Sequence, residues 1–127
     1  MSTSYRAASL ADLGEWLSNG SEHERWRLVA EFLEEYRHEP AATRLELLES
    51  EPGGTGDKRW DVLLGALAEH LAAQVDHAAP AWAALRSLRS FWFPFNTRAA
   101  RSDALVHAPA AFRRRGVFVA PQELEVA

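Results

Sequence analysis

The chain of 127 residues contains no cysteine. That excludes a disulfide framework, a thiolate metal site and a cysteine nucleophile, and it fits a reducing compartment. No apolar run approaches the roughly 18 residues a membrane helix needs. The opening MSTSYRAASLADL has no long apolar core behind a basic start, so no secretory signal is expected and the chain reads as cytoplasmic, with no membrane partner. Reaction motifs are missing too. Ser87, Ser90 and Ser102 lie in no GxSxG elbow. GGTGDKRW lacks both the GxxxxGK(S/T) spacing and the apolar strand that would precede a phosphate-binding loop.

What is present is the balance of a globular domain: 47% apolar and 25% charged residues, with five tryptophans to fill a core. The length suits one domain. Charge is unevenly placed. Residues 1–57 hold 12 acids and 5 bases, a net −7, whereas residues 58–127 hold 6 acids and 9 bases, a net +3. Acids coating the solvent faces of the early helices would account for this, and so would a basic C-terminal face that meets an acidic partner.

Helix signals dominate. Ser9 with Asp12, and Ser21 with Glu24, have the spacing of capping boxes, and Asn19-Gly20 between them suits a left-handed helix end. The second helix carries Trp26, Val29, Ala30, Leu33 and Tyr36 at helical spacing, and Pro40 opens a third that ends near Ser50. Residues 51–57, with three glycines and a proline, read as a flexible loop between an acidic helical half (1–50) and a basic, aromatic one (58–127). The stripe Trp60, Leu63, Leu64, Leu67, Leu71 and Val75 marks a central helix, and alanines beside it allow close packing. Pro80 should start another helix, with Trp82, Leu85 and Leu88 inward and Arg86 and Arg89 outward. Pro94 forces an extended turn through FWFPF, so alternate rings should face opposite ways, with Trp92 between the Trp60 and Trp82 helices. Asn96 or Thr97 caps a helix carrying Ala100, Ala104 and Leu105, and Pro109 begins a last turn closed by Gly116. Val117 to Val119 is a short β-like segment awaiting a partner, and Pro121 to Val126 adds a final turn. The expected fold is all-α: one small bundle of five to seven helices with a short β-like segment near the C-terminus.

The titratable residues form no constellation. His70 and His77 are two helical turns apart, roughly 10 Å, where a metal pair needs one turn; they read as surface histidines. His107 suits the negative end of its helix. Glu34/Glu35 and Glu46/Glu49 are solvated pairs with no nucleophile tied to them. No catalytic residue, metal or cofactor is expected, and the chain reads as a non-enzyme. More telling is the concentration of Arg86, Arg89, Arg98, Arg101, Arg113, Arg114 and Arg115 within thirty residues, interleaved with Trp92, Phe93, Phe95, Phe112 and Phe118. Arginine with aromatics is the composition of protein-interface anchors and of single-stranded nucleic-acid surfaces. We take Trp92, Phe93, Phe95, Arg98, Arg101, Phe112, Arg113, Arg114 and Arg115 as the candidate partner-binding residues. A protein partner is favoured over nucleic acid by the sequence pI of about 5.7, and self-association into a homo-oligomer is compatible with the same surface. The alternative is a DNA-binding regulator using the C-terminal basic helices, although FWFPFN is bulky for a helix-turn-helix turn.

The segments RWDVLLGALAEHLA, PAW and FWFPFNTRAARSDALVHAPAAFRRRGVFVAPQELE, covering about residues 59–125, resemble a group of small actinobacterial helical proteins. These are often encoded beside a nucleotidyltransferase-like toxin. The Phe91 to Pro94 run and Pro109-Ala-Ala-Phe-Arg-Arg-Arg-Gly116-Val-Phe carry the resemblance most specifically. It implies the antitoxin of a toxin–antitoxin system, which binds and neutralises its partner enzyme. Some members carry a DNA-binding segment before this module, whereas residues 1–57 here show no basic recognition helix.

Overall fold

Two serine capping boxes begin the fold as their spacing predicts. In the computed structural model, which describes residues 7–124, the Ser9 and Asp12 side chains each accept the other's backbone N–H (3.1 and 2.9 Å) at the start of α1, Leu10–Ser18. Ser21 and Glu24 repeat the device for α2, Glu22–Tyr36. Such caps satisfy donors that the first helical turn leaves without partners. Between the two helices, Gly20 does not adopt the left-handed conformation expected of it. The Asn19 and Gly20 N–H groups instead close tight turns onto Trp16 O (3.3 Å) and Leu17 O (3.2 Å).

Helix α3, Ala41–Glu49, follows Pro40. The loop after it is more anchored than its glycines suggest. Pro52 and Thr55 are buried, and the Thr55 N–H donates to Asp61 Oδ1 (2.8 Å) in the first turn of α4, Lys58–Ala73. Helix α4 is central. Trp60, Leu63, Leu64, Leu67 and Leu71 are buried as their period predicts, and so are Val62, Ala66 and Ala68 on its other sides. It packs against α1, α3 and the last helix, and residues from Ala7 to Leu124 join one main core, so the acidic and basic halves share it. Each leucine-sized side chain buried there contributes roughly 1.5–3 kcal/mol.

The helix expected after Pro80 does not form. Only one 3₁₀ turn is present, Ala81–Ala83, and tertiary hydrogen bonds claim the backbone beyond it. A continuing helix would send the Leu88 N–H to Ala84 O; it goes to Arg115 O instead (2.8 Å). Trp82 and Leu88 pack on the core and Arg89 stays exposed as expected, but Leu85 and Arg86 exchange faces. Leu85 is 94% exposed, while Arg86 crosses α4 at Gly65, where a Cβ would lie 3.0 Å from the Arg86 Cβ. Its guanidinium donates to Asp61 O (2.8 Å) and Pro52 O (3.1 Å), pairs with Glu51 (3.0 Å) and lies over Trp82.

The chain then runs extended through the aromatic stretch. Trp92 forms a single parallel bridge to Val117: its N–H donates to Gly116 O (2.8 Å), and the Phe118 N–H donates to Trp92 O (2.9 Å). The lone β-like segment thus finds its partner in FWFPF. Thr97 caps α5, Arg98–His107, and Pro109 precedes the short α6, Ala110–Arg113. Gly116 closes that turn at φ 86°, a conformation glycine adopts without strain. A 3₁₀ turn, Pro121–Leu124, ends the described chain; Glu125 and Val126, placed in the same turn from sequence, lie outside the described residues. Among the described residues the architecture is a six-helix all-α bundle with essentially no strands.

Candidate functional site

The extended segment sets Phe91 and Phe93 opposite Trp92 as alternation requires, whereas Phe95, beyond Pro94, departs from it and joins the Trp92 side. On one side Trp92 meets the buried Trp60 edge-on (5.5 Å between centroids), and the chain of rings continues through Trp26 (4.9 Å from Trp60) to Phe95 (4.8 Å from Trp26). Trp92 therefore packs on the Trp60 helix as expected. Trp82 has a separate place, donating its indole N–H to Leu48 O (3.1 Å). On the other side Phe118 gathers Phe91 (4.9 Å) and Phe93 (5.1 Å, stacked). Phe93 and Phe118 join Ala104 and Ala108 in a small second core that holds α5 against the bundle. Helix α5 has few other anchors, and Leu105 and Val106 on it stay exposed.

Arginines lie over this second cluster. The Arg101 guanidinium sits 4.3 Å from the Phe93 centroid and donates to Asn96 Oδ1 (2.7 Å). Arg113 sits 5.6 Å from Phe118 and donates to Leu105 O (2.9 Å). Arg59 lies 5.1 Å over Trp92, paired with Asp57 (3.0 Å). A cation held over a ring keeps its orientation at little entropic cost, so these guanidinium groups are pre-positioned. Arg89, Arg98, Arg101 and Arg113 are exposed and form no ion pair among the described residues. Phe91, 71% exposed, stands among them. Glu22, Arg59, Phe91, Phe93, Asn96 and Arg101 line a shallow groove along this face.

The nine candidate residues do not form one surface. Phe93, Arg98, Arg101 and Arg113 share the face just described. Trp92 and Phe95 are half-buried on the Trp60 side, and Trp92 also lines the groove of that face. Phe112 is 0% exposed and belongs to the main core, which α6 enters because Pro109 and Gly116 turn that face of FRRR onto α4. Arg115 is 6% exposed; it pairs with Glu69 of α4 and donates to Ala111 O (2.9 Å) and Ala83 O (3.0 Å). Arg114 pairs with the other oxygen of the same carboxylate from the solvent side. Phe112 and Arg115 are therefore corrected from partner-binding to structural residues, and Arg114 is half committed internally. Burial lowers the pKa of Arg115 below the usual arginine value.

Phe91, Leu105 and Val106 belong to the exposed face but carried no distinct signal in the sequence. Phe91 could have been paired with Phe93 by the two-residue period of an extended segment. His107 ends α5 as expected, with Nδ1 2.8 Å from Asp103 Oδ1. Hydrogen bonds from Gln122 and His107 hold the Asp103 carboxyl below its ordinary pKa. His70 is not a surface histidine; it is half-buried edge-on to Phe112 (5.5 Å), and burial lowers its pKa. Among the described residues no three His, Asp or Glu side chains gather as a metal site. No helix there is long and apolar enough to cross a membrane. Compared with protein-family models, curated proteins and solved structures, the chain matches none.

Proposed function

We propose that this chain is a protein-binding helical module and the cytoplasmic antitoxin of a two-component system, neutralising a partner enzyme by covering it with the α5 face. The observation that carries the reading is Phe91, exposed beside arginines that have no carboxylate within the described chain. An exposed aromatic ringed by pre-positioned cations is an interface hot-spot composition. The unpaired guanidinium groups suit a carboxylate-rich partner. A nucleotidyltransferase-like enzyme, the partner that the resemblance implies, presents such a surface where acidic residues hold catalytic metal ions. The arginines would occupy that cleft or the groove meant for RNA.

Coexpression with the product of the neighbouring gene, followed by co-purification, is the test. The two proteins should elute together, and F91S/R98E/R101E should weaken the complex by at least about 100-fold while leaving the thermal midpoint unchanged. Separate elution of the wild-type pair would sink the proposal. The DNA-binding reading has less support. A helix-turn-helix needs a helix closely preceding the recognition helix, and α5 is preceded by fourteen residues of non-helical chain after Ala83.

A further inference from the structure

On the side of the molecule formed by α2, α3, α4 and the Pro121–Leu124 turn lies a cavity of about 510 Å³. Two buried polar atoms on its lining residues have no hydrogen-bond partner among the described residues: the Tyr36 hydroxyl and the Arg44 Nε. Tyr36 is 3% exposed. Leaving such a group unsatisfied costs about 1–3 kcal/mol, so native structures rarely retain it without a use. Leu33, Leu71, Pro121 and Leu124 supply the apolar part of a lining that Tyr36, Arg37, Arg44, His70 and Gln74 otherwise make polar, and among the described residues no acidic side chain lines the cavity. Arg37 reaches it too, although Glu34 lies 3.7 Å from its Nε. Arg44 forms no ion pair among the described residues. At its exposed edge, Gln74 Nε2 lies 3.4 Å from His70 Nε2.

We infer that this cavity binds a small carboxylic acid with an apolar body, its carboxylate accepting from the Tyr36 hydroxyl and the Arg44 guanidinium. The donor set selects the head group: two unsatisfied donors, one carrying a positive charge, border the same cavity close enough for the Arg44 charge to act on the Tyr36 hydroxyl, and an anionic acceptor would complete both. A planar guanidinium and a hydroxyl match a carboxylate's two oxygens. Burial raises the Tyr36 pKa to about 12, so the hydroxyl keeps its proton at any physiological pH and remains a donor. The leucine lining selects the body, an aryl or short alkyl chain, and the volume falls in the range of small-molecule sites. The site is separate from the α5 face and does not depend on the role proposed for it.

The test is calorimetric titration of the full chain with phenylacetate and octanoate, beside inorganic phosphate and the neutral 1-octanol. Saturable one-site binding of a carboxylate is expected, with phosphate and octanol at least about tenfold weaker. R44Q should weaken the carboxylate by about 10- to 100-fold, the range for a lost hydrogen bond to a charged group. Y36F should weaken it severalfold while leaving the ligand-free protein as stable as wild type or more so. That sign separates the proposal from a structural role, since a tyrosine whose hydroxyl supported the fold would lose stability. Failure of both carboxylates to bind at millimolar concentration overturns the inference. So does binding that R44Q leaves unchanged, or equal affinity for octanol.

Discussion

Arg114 and Arg115 are neighbours in sequence, share the carboxylate of Glu69, and should respond very unequally to truncation. Arg115 is buried, and its guanidinium holds Glu69, Ala111 O and Ala83 O, the last of these fixing the 3₁₀ turn against α6. Arg115→Ala removes three charge-assisted hydrogen bonds and leaves Ala83 O, on a fully buried residue, without that donor. Breaking a buried pair costs about 3–5 kcal/mol. Glu69 keeps Arg114 and its side chain is 20% exposed, so the lower end applies, about 3 kcal/mol. Arg114→Ala removes a pair whose arginine side chain is 60% exposed, worth about 0–1 kcal/mol. With a urea m-value of about 2 kcal/mol/M, the denaturation midpoint should fall by about 1.5 M for Arg115→Ala and by less than about 0.5 M for Arg114→Ala. Glu69→Leu with Arg115→Met should recover most of the loss, because a buried pair replaced by apolar side chains of similar volume is often neutral. Similar shifts for the two arginines would refute the burial argument.

Three further outcomes follow from the packing. Phe112→Ala should cost about 3–5 kcal/mol by urea denaturation, as for a fully buried ring, whereas Phe91→Ala should change stability by no more than about 0.5 kcal/mol. Gly116→Ala should cost about 1–3 kcal/mol and raise protease sensitivity, because φ is 86° and the new Cβ would lie 3.3 Å from both Leu88 Cβ and Leu88 O. His70 is held neutral by burial, so below about pH 6.5 the unfolded chain takes up its proton first and stability falls down to the depressed native pKa. The urea midpoint should drop in wild type as pH falls from about 7.5 through the ordinary histidine value of about 6.5, and His70→Gln should remove most of that drop.

What was legible in the sequence was local. Ser9–Asp12, Ser21–Glu24 and Thr97 cap helices through atoms three residues away, and the α4 stripe declares itself within one window. The segment after Pro80 departs from its helical periodicity because its hydrogen bonds are settled from residues 52, 61 and 115. The candidate site failed in part for the same reason. Nothing within FRRR distinguishes Arg113 from Arg115; Glu69, 46 residues earlier, takes the third arginine into the interior. The cavity leaves no mark in the sequence because Tyr36 has the spacing of an ordinary core residue. Its isolation shows only once α3 brings Arg44 beside it.

Helix α5 rests on a core of its own, built from Ala104, Ala108, Phe93 and Phe118. So small an apolar seam gives this helix a local opening free energy well below that of the bundle around α4. Detachment then exposes the 98–107 amides to hydrogen exchange while the α4 amides stay protected. A partner that binds only the docked helix must first collect it from this equilibrium, and its affinity is reduced by the undocked fraction. In return the complex reports itself: exchange should slow selectively across 98–107 by the factor through which the partner suppresses opening. The weakest joint in the molecule thereby becomes its readout of occupancy.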